Sequence, residues 1–247
     1  MYRALYISLI FITGACSTGT VKKQNQVPEE KTHFPTNTDG KGQEITVDLT
    51  RGKSFYYPIF SIWLEDSDGR YIQTLYVARS VATGIFEYAR QEKNKWMRAS
   101  KRAPQALPYW SHKRGIKAAD GLFTPDEQTA VPDAYSGATP VTGFILTSHA
   151  DNLLPRNFKV MLEINQNWDW NEYWTNDKYP GDEYYMWSCQ PAVVYETVID
   201  LQSLQDSYLM KPVGHSHYSG KTGELFSDLS TLTTALQIAD SIIVKIN

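Results

Sequence analysis

Polar and apolar residues alternate along Glu44-Ile45-Thr46-Val47-Asp48-Leu49, the mark of a strand with one buried face. Aromatic and β-branched residues then dominate Phe55 to Leu64 and Tyr71 to Val77, with Glu65-Asp66-Ser67-Asp68-Gly69-Arg70 between them. Asp-Gly between two such runs predicts a hairpin. Strand patterning resumes over Gly143 to Ser148 and Phe158 to Asn165, and again over Ala192 to Leu201, Tyr208 to Val213 and Ser241 to Ile246. Two stretches read otherwise. Phe86 to Ala99 is rich in Lys, Arg, Glu and Gln, and its apolar Phe86, Ala89, Trp96 and Met97 fit a helix or a charged loop. Asp228 to Leu236 reads as a short helix, with Asp228 capping it and Leu229, Leu232 and Leu236 on one side. The expected fold is mainly β, a single antiparallel sandwich over residues 43–247 with a long, partly helical insertion at about 86–132.

The chain ahead of this domain has a different texture. Arg3 followed by the apolar run Ala4 to Ile12 is too short to span a bilayer and reads as the core of a signal peptide. It ends in Thr13-Gly14-Ala15-Cys16, which resembles a bacterial lipobox with Cys16 as the lipidated residue. Residues 1–15 are therefore expected to be removed, and Ser17 after the Cys implies retention at the outer membrane. From Ser17 to about Gly42 few large apolar residues occur, and such a segment cannot bury enough surface to offset its ordering entropy. Residues 16–42 are expected to be a tether with a reach of about 25–30 Å.

Composition narrows the function classes. A formal net charge of −3 over 247 residues gives no basic field for nucleic acid. Only Cys16 and Cys189 exist, so lipidation of the first leaves no intramolecular disulfide, and Cys189 reads as a small buried hydrophobe. Aromatic residues reach 13%, and they concentrate in 167–187, where eight Trp or Tyr mix with five carboxylates. Trp168, Trp170, Tyr173 and Trp174 make this stretch a candidate recognition surface for a glycan, a protein or a flavin ring; a loop with its rings packed inward is the other reading.

Several patterns look chemical and are weak. Asp66-Ser67-Asp68-Gly69 starts like a calcium loop without its downstream ligands. Gly214 to Thr222 resembles a phosphate loop, with one residue too many between its glycines. His215 and His217 would share one side of a strand, with no third metal ligand specified. No Gly-x-Ser-x-Gly elbow marks a hydrolase.

One motif remains. Asp133-Ala134-Tyr135-Ser136-Gly137-Ala138-Thr139 resembles the acceptor sequence that bacterial flavin transferases recognise in extracytoplasmic proteins, in which FMN is joined through its phosphate to the final Thr. The resemblance implies Thr139 as the attachment site and Asp133, Ser136, Gly137 and Ala138 as recognition residues. Tyr135 is a candidate to stack on the ring, and Gly137 permits a turn with φ > 0. A structural β-turn built on Asp133 and Gly137 is the competing reading.

This motif, Ile62-Trp63-Leu64-Glu65-Asp66 with Gly69 and Thr74-Leu75, Leu107-Pro108-Tyr109-Trp110, and the Asp228 to Leu236 run together resemble a family of predicted periplasmic proteins of unknown function. Its members are sometimes labelled FlgD-like for an immunoglobulin-like sandwich. The resemblance covers roughly residues 43–247 and implies that fold. It also implies a role in extracytoplasmic electron transfer, beside a flavin transferase and a membrane redox protein of PepSY type. The aromatic–acidic stretch has no counterpart in the family pattern.

Overall fold

The computed structural model describes residues 30–132 and 135–247. The expected signal peptide, Cys16, most of the expected tether, and Asp133 with Ala134 lie outside the described residues.

In chain order, β1 (Thr32–Thr36), β2 (Glu44–Arg51), β3 (Ile59–Asp66) and β4 (Tyr71–Ala78) lead into the short helix α1 (Arg79–Thr83). The hairpin β5 (Ile85–Glu92) and β6 (Lys95–Ser100) follows, then α2 (Pro108–Arg114) and the two-residue β7 (Ser136–Gly137). Next come β8 (Phe144–His149), β9 (Asn157–Asn165), the single turn α3 (Tyr185–Ser188) and β10 (Val193–Asp200). The chain closes with β11 (Tyr208–Leu209), β12 (Lys211–His215), a 3-10 turn at Thr234–Gln237, and β13 (Ala239–Ile246).

Two sheets form the body. The first runs β1-β8-β2-β13-β11 and the second β12-β10-β9-β3-β4-β7. Their pairings are antiparallel except at two edges, where β1 lies parallel to β8 and β7 parallel to β4. Ile45, Val47 and Leu49 of β2, at alternate positions, face Phe60, Ile62 and Leu64 of β3 across one core. The Phe60 and Phe144 rings stack across the sheets at 4.6 Å. The expected β-sandwich is thus present.

The second sheet is covered on its outer face as well. Trp63, Val77, Met161 and Val194 point away from the sandwich core and pack beneath Ala103, Ala106, Leu107, Trp110 and Val131. Burial on both faces is why β9 reads as an apolar run with Glu163 inside it. That carboxylate accepts the N–H groups of Tyr109 (3.1 Å) and Trp110 (2.8 Å). It thereby satisfies the first turn of α2, whose N-cap Leu107 has no side chain to do so. Burial still wins over these bonds and pushes Glu163 up to about 7. Pro108 opens α2, and Gly115 in the left-handed conformation closes it.

Four expectations are corrected. β1 falls inside the stretch read as tether, so ordered chain begins at least ten residues before 43. Phe86 to Ala99 is a β-hairpin, with no helical residue, and helix within the insertion is confined to α2. Met210 interrupts the Tyr208–Val213 run, sending β11 and β12 to different sheets. Asp228 caps no helix: it accepts the Ser230 N–H in a local turn, and the helical turn comes later, at Thr234–Gln237.

Candidate functional site

The acceptor-like motif sits at the edge of the second sheet. Ser136 and Gly137 pair with Val77 and Ala78 of β4, and the Tyr76 hydroxyl donates to the carbonyls of both Gly137 (3.1 Å) and Ala138 (3.0 Å). Gly137 is small for a packing reason: a Cβ there would lie 3.2 Å from the Tyr76 ring. Its φ is not positive, so the expected left-handed turn at Gly137 is replaced by extended edge strand. Ser136 is buried, and its hydroxyl has no partner among the described residues. Ala138 is exposed and Thr139 half-buried. Tyr135 is turned elsewhere, its hydroxyl donating to Asp151 at 2.6 Å, so it does not join the walls of the cleft described next.

Gly137, Ala138 and Thr139 form one wall of a cleft of about 470 Å³. The rest of the lining includes residues of α1 (Arg79, Ser80, Thr83), the β5–β6 hairpin (Phe86, Glu87, Tyr88, Arg98) and Trp187 at the end of the aromatic stretch. The lining carries three cations, Arg79, Arg98 and Lys101, against one carboxylate, Glu87, which pairs with Arg98 at 3.4 Å. Four aromatic rings, Tyr57, Phe86, Tyr88 and Trp187, share the surface.

Two of the lining groups are polar and incompletely satisfied. Lys101 Nζ lies 2.8 Å from the centre of the Trp187 ring, and among the described residues no carboxylate is within 4 Å of it. Burial lowers its pKa to about 8, against a weaker opposing pull from Glu183. Gln105 is 4% exposed, lines the cleft, and has a side-chain oxygen without a partner. A cleft with cations, stacking rings and an orphan amide suits a planar ligand bearing an anionic group.

The aromatic stretch divides in two. Trp174 is core: it is buried among Tyr185, His215 and Tyr218, and its ring N–H donates to Thr231 at 3.1 Å. Its place in the expected recognition surface is withdrawn. Trp168, Trp170 and Tyr173 are all about half exposed, with Lys178 Nζ 3.1 Å above the Tyr173 ring. Trp168 also packs against Trp187 at 5.1 Å, joining the outer rings to the cleft. Asn171 anchors the stretch from beneath, donating to Gln190, the Thr231 carbonyl and Thr233.

The remaining candidates are structural. Cys189 is buried with a positive φ of 67°, and burial pushes its thiol up to about 11. His215 stacks on Phe226 and His217 packs tilted against Tyr218, and burial lowers both below the usual imidazole range. At Gly220 a Cβ would stand 2.1 Å from the Pro104 carbonyl, so the 214–222 loop is pressed against the segment that backs the cleft. Arg79, Lys101 and Gln105 carried no local sequence signal; Trp187 was flagged only as the end of the aromatic stretch, more than a hundred residues from Arg79. Compared with known protein families, curated proteins and solved structures, the chain matches none.

Proposed function

We propose that this chain is an exported lipoprotein, anchored through Cys16 at the outer membrane, that carries FMN in extracytoplasmic electron transfer, with the FMN phosphate esterified to the Thr139 hydroxyl. A flavin transferase would attach it from FAD. The Thr139 oxygen bonds to the FMN phosphorus, the phosphoanhydride bond breaks, and AMP leaves as the hydroxyl proton is released. The observation that carries this reading is that Thr139 borders the cationic, aromatic-lined cleft, two residues beyond the edge strand β7 and beside the exposed Ala138. Bound flavin supplies the redox chemistry; the chain's own residues hold, orient and partly desolvate it. Arg79, Arg98 and Lys101 are placed to meet anionic groups, and the four rings to meet a planar one. A membrane redox protein of PepSY type would exchange electrons with it.

Co-expression with a flavin transferase is expected to yield a fluorescent band in a denaturing gel and a mass gain of one FMN less water, both lost in Thr139→Ala. A colourless product of unmodified mass overturns the reading. The exposed Trp168, Trp170 and Tyr173 favour a second reading, a non-catalytic surface module for a glycan or a protein. On that reading Trp168→Ala or Trp170→Ala abolishes ligand binding while the melting temperature stays unchanged.

A further inference from the structure

We infer that the cleft is the seat of the flavin ring, with Trp187 as its aromatic wall and Lys101 and Gln105 as the polar groups that meet the ring's pyrimidine edge. This rests on the reading of Thr139 as the attachment point. The edge in question presents two carbonyls flanking an N–H. Lys101 offers a charged donor with no carboxylate within 4 Å among the described residues, Glu183 pulling on it only from farther off, and Gln105 offers a buried amide whose oxygen is unpaired. An orphan acceptor at 4% exposure costs stability until a donor reaches it, and a ring N–H is such a donor. Lys101 rests on the Trp187 indole, so the incoming ring exchanges a cation–π contact for a charge-assisted hydrogen bond.

The charge has a redox consequence. Taking up two electrons and one proton leaves the ring with one negative charge, held nearest this edge. A cation beside it favours the reduced form, so Lys101 raises the midpoint potential. Burial brings Lys101 to about 8, so its charge and its effect fade as pH rises through that value.

The test uses the full chain loaded by co-expression with a flavin transferase. Mass and in-gel fluorescence report attachment; flavin emission and a dithionite titration report the seat. Electron-rich indole quenches flavin emission, so native protein is expected to emit several-fold less than the same sample unfolded in guanidinium. Trp187→Leu should restore emission without changing the mass gain. Lys101→Met should lower the midpoint potential below pH 8 and leave it unchanged well above, while Lys101→Arg keeps the higher value. Attached flavin with the emission and potential of a short flavinylated peptide bearing 133–140 overturns the seat alone. No mass gain overturns the attachment and the seat together.

Discussion

The sandwich and the β5–β6 hairpin are both made mainly of antiparallel strands, yet they are held by different forces. In β9 nearly every side chain is buried, between a sheet on one side and α2 on the other. In β5 and β6 nearly none is, and Tyr88 is 75% exposed. The hairpin pairs with no other sheet, and its ion pairs, Arg90–Glu92 and Arg98–Glu87, lie in water, where such pairs are worth little. A lone two-stranded ribbon is marginal in water. It is held at its base, where the Lys101 N–H donates to the Gly84 carbonyl at 2.8 Å and Gly84 takes a positive φ of 67°. Beyond that point Arg102 donates to Asp120 and to the Thr124 and Pro125 carbonyls. One region is therefore fixed by packing and the other by its attachment. The cleft lies between them.

The contrast can be broken by mutation. Phe60→Ala removes a ring that stacks on Phe144 and Tyr76, and it is expected to cost about 3–5 kcal/mol in guanidinium unfolding. Next is the buried carboxyl. Glu163 is raised in the fold to about 7 from an ordinary value of 4.5, so the protonated form is the one the fold prefers. The stability it allows is complete below pH 4.5 and is lost as pH rises through 7, by up to about 3 kcal/mol. Glu163→Gln should flatten that part of the pH–stability curve and lower its acid end, since an amide accepts from only one of the Tyr109 and Trp110 N–H groups with its oxygen. A wild-type stability that climbs between pH 5 and 8 by as much as in the variant would contradict a raised Glu163.

Smaller effects probe the join. Tyr76→Phe keeps the ring and loses its two bonds to the motif, so about 1 kcal/mol should go, with faster amide exchange at Gly137 and Ala138. Tyr88→Ser in the hairpin should stay within about 0.5 kcal/mol of wild type. A loss there comparable to that of Phe60→Ala would mean the hairpin shares the core's cooperativity, and the comparison would fail.

How far the chain can be read in advance follows the same division. β2, β3, β4, β8, β9, β10 and β13 announce themselves because one or both faces must be apolar. The hairpin has no buried face to write into its sequence, and Phe86, Ala89, Trp96 and Met97 mimic a helical spacing by accident. Its signal was the turn: Lys93 and Asn94 both adopt positive φ, the geometry usually advertised by Asn-Gly. β1 was hidden for a similar reason, since Thr-His-Phe-Pro-Thr is an edge strand with a single large apolar side chain, Phe34. In the site, Gly137, Ala138 and Thr139 were legible as a motif. Their cationic and aromatic surroundings were not, because Arg79, Lys101 and Trp187 meet only after the sheets have stacked.

Strand order in the first sheet also bears on how the protein is made. β2, formed early in the chain, lies between β8 and β13, with Ile45 opposite Ser148 on one side and Ile246 on the other. Neither of its neighbours exists when β2 is synthesised, and the second arrives only with the final strand in sequence order. The sheet cannot assemble progressively behind a growing end. The first sheet is therefore complete only once β13 has been made, whereas every strand of the second sheet precedes β13 in the chain.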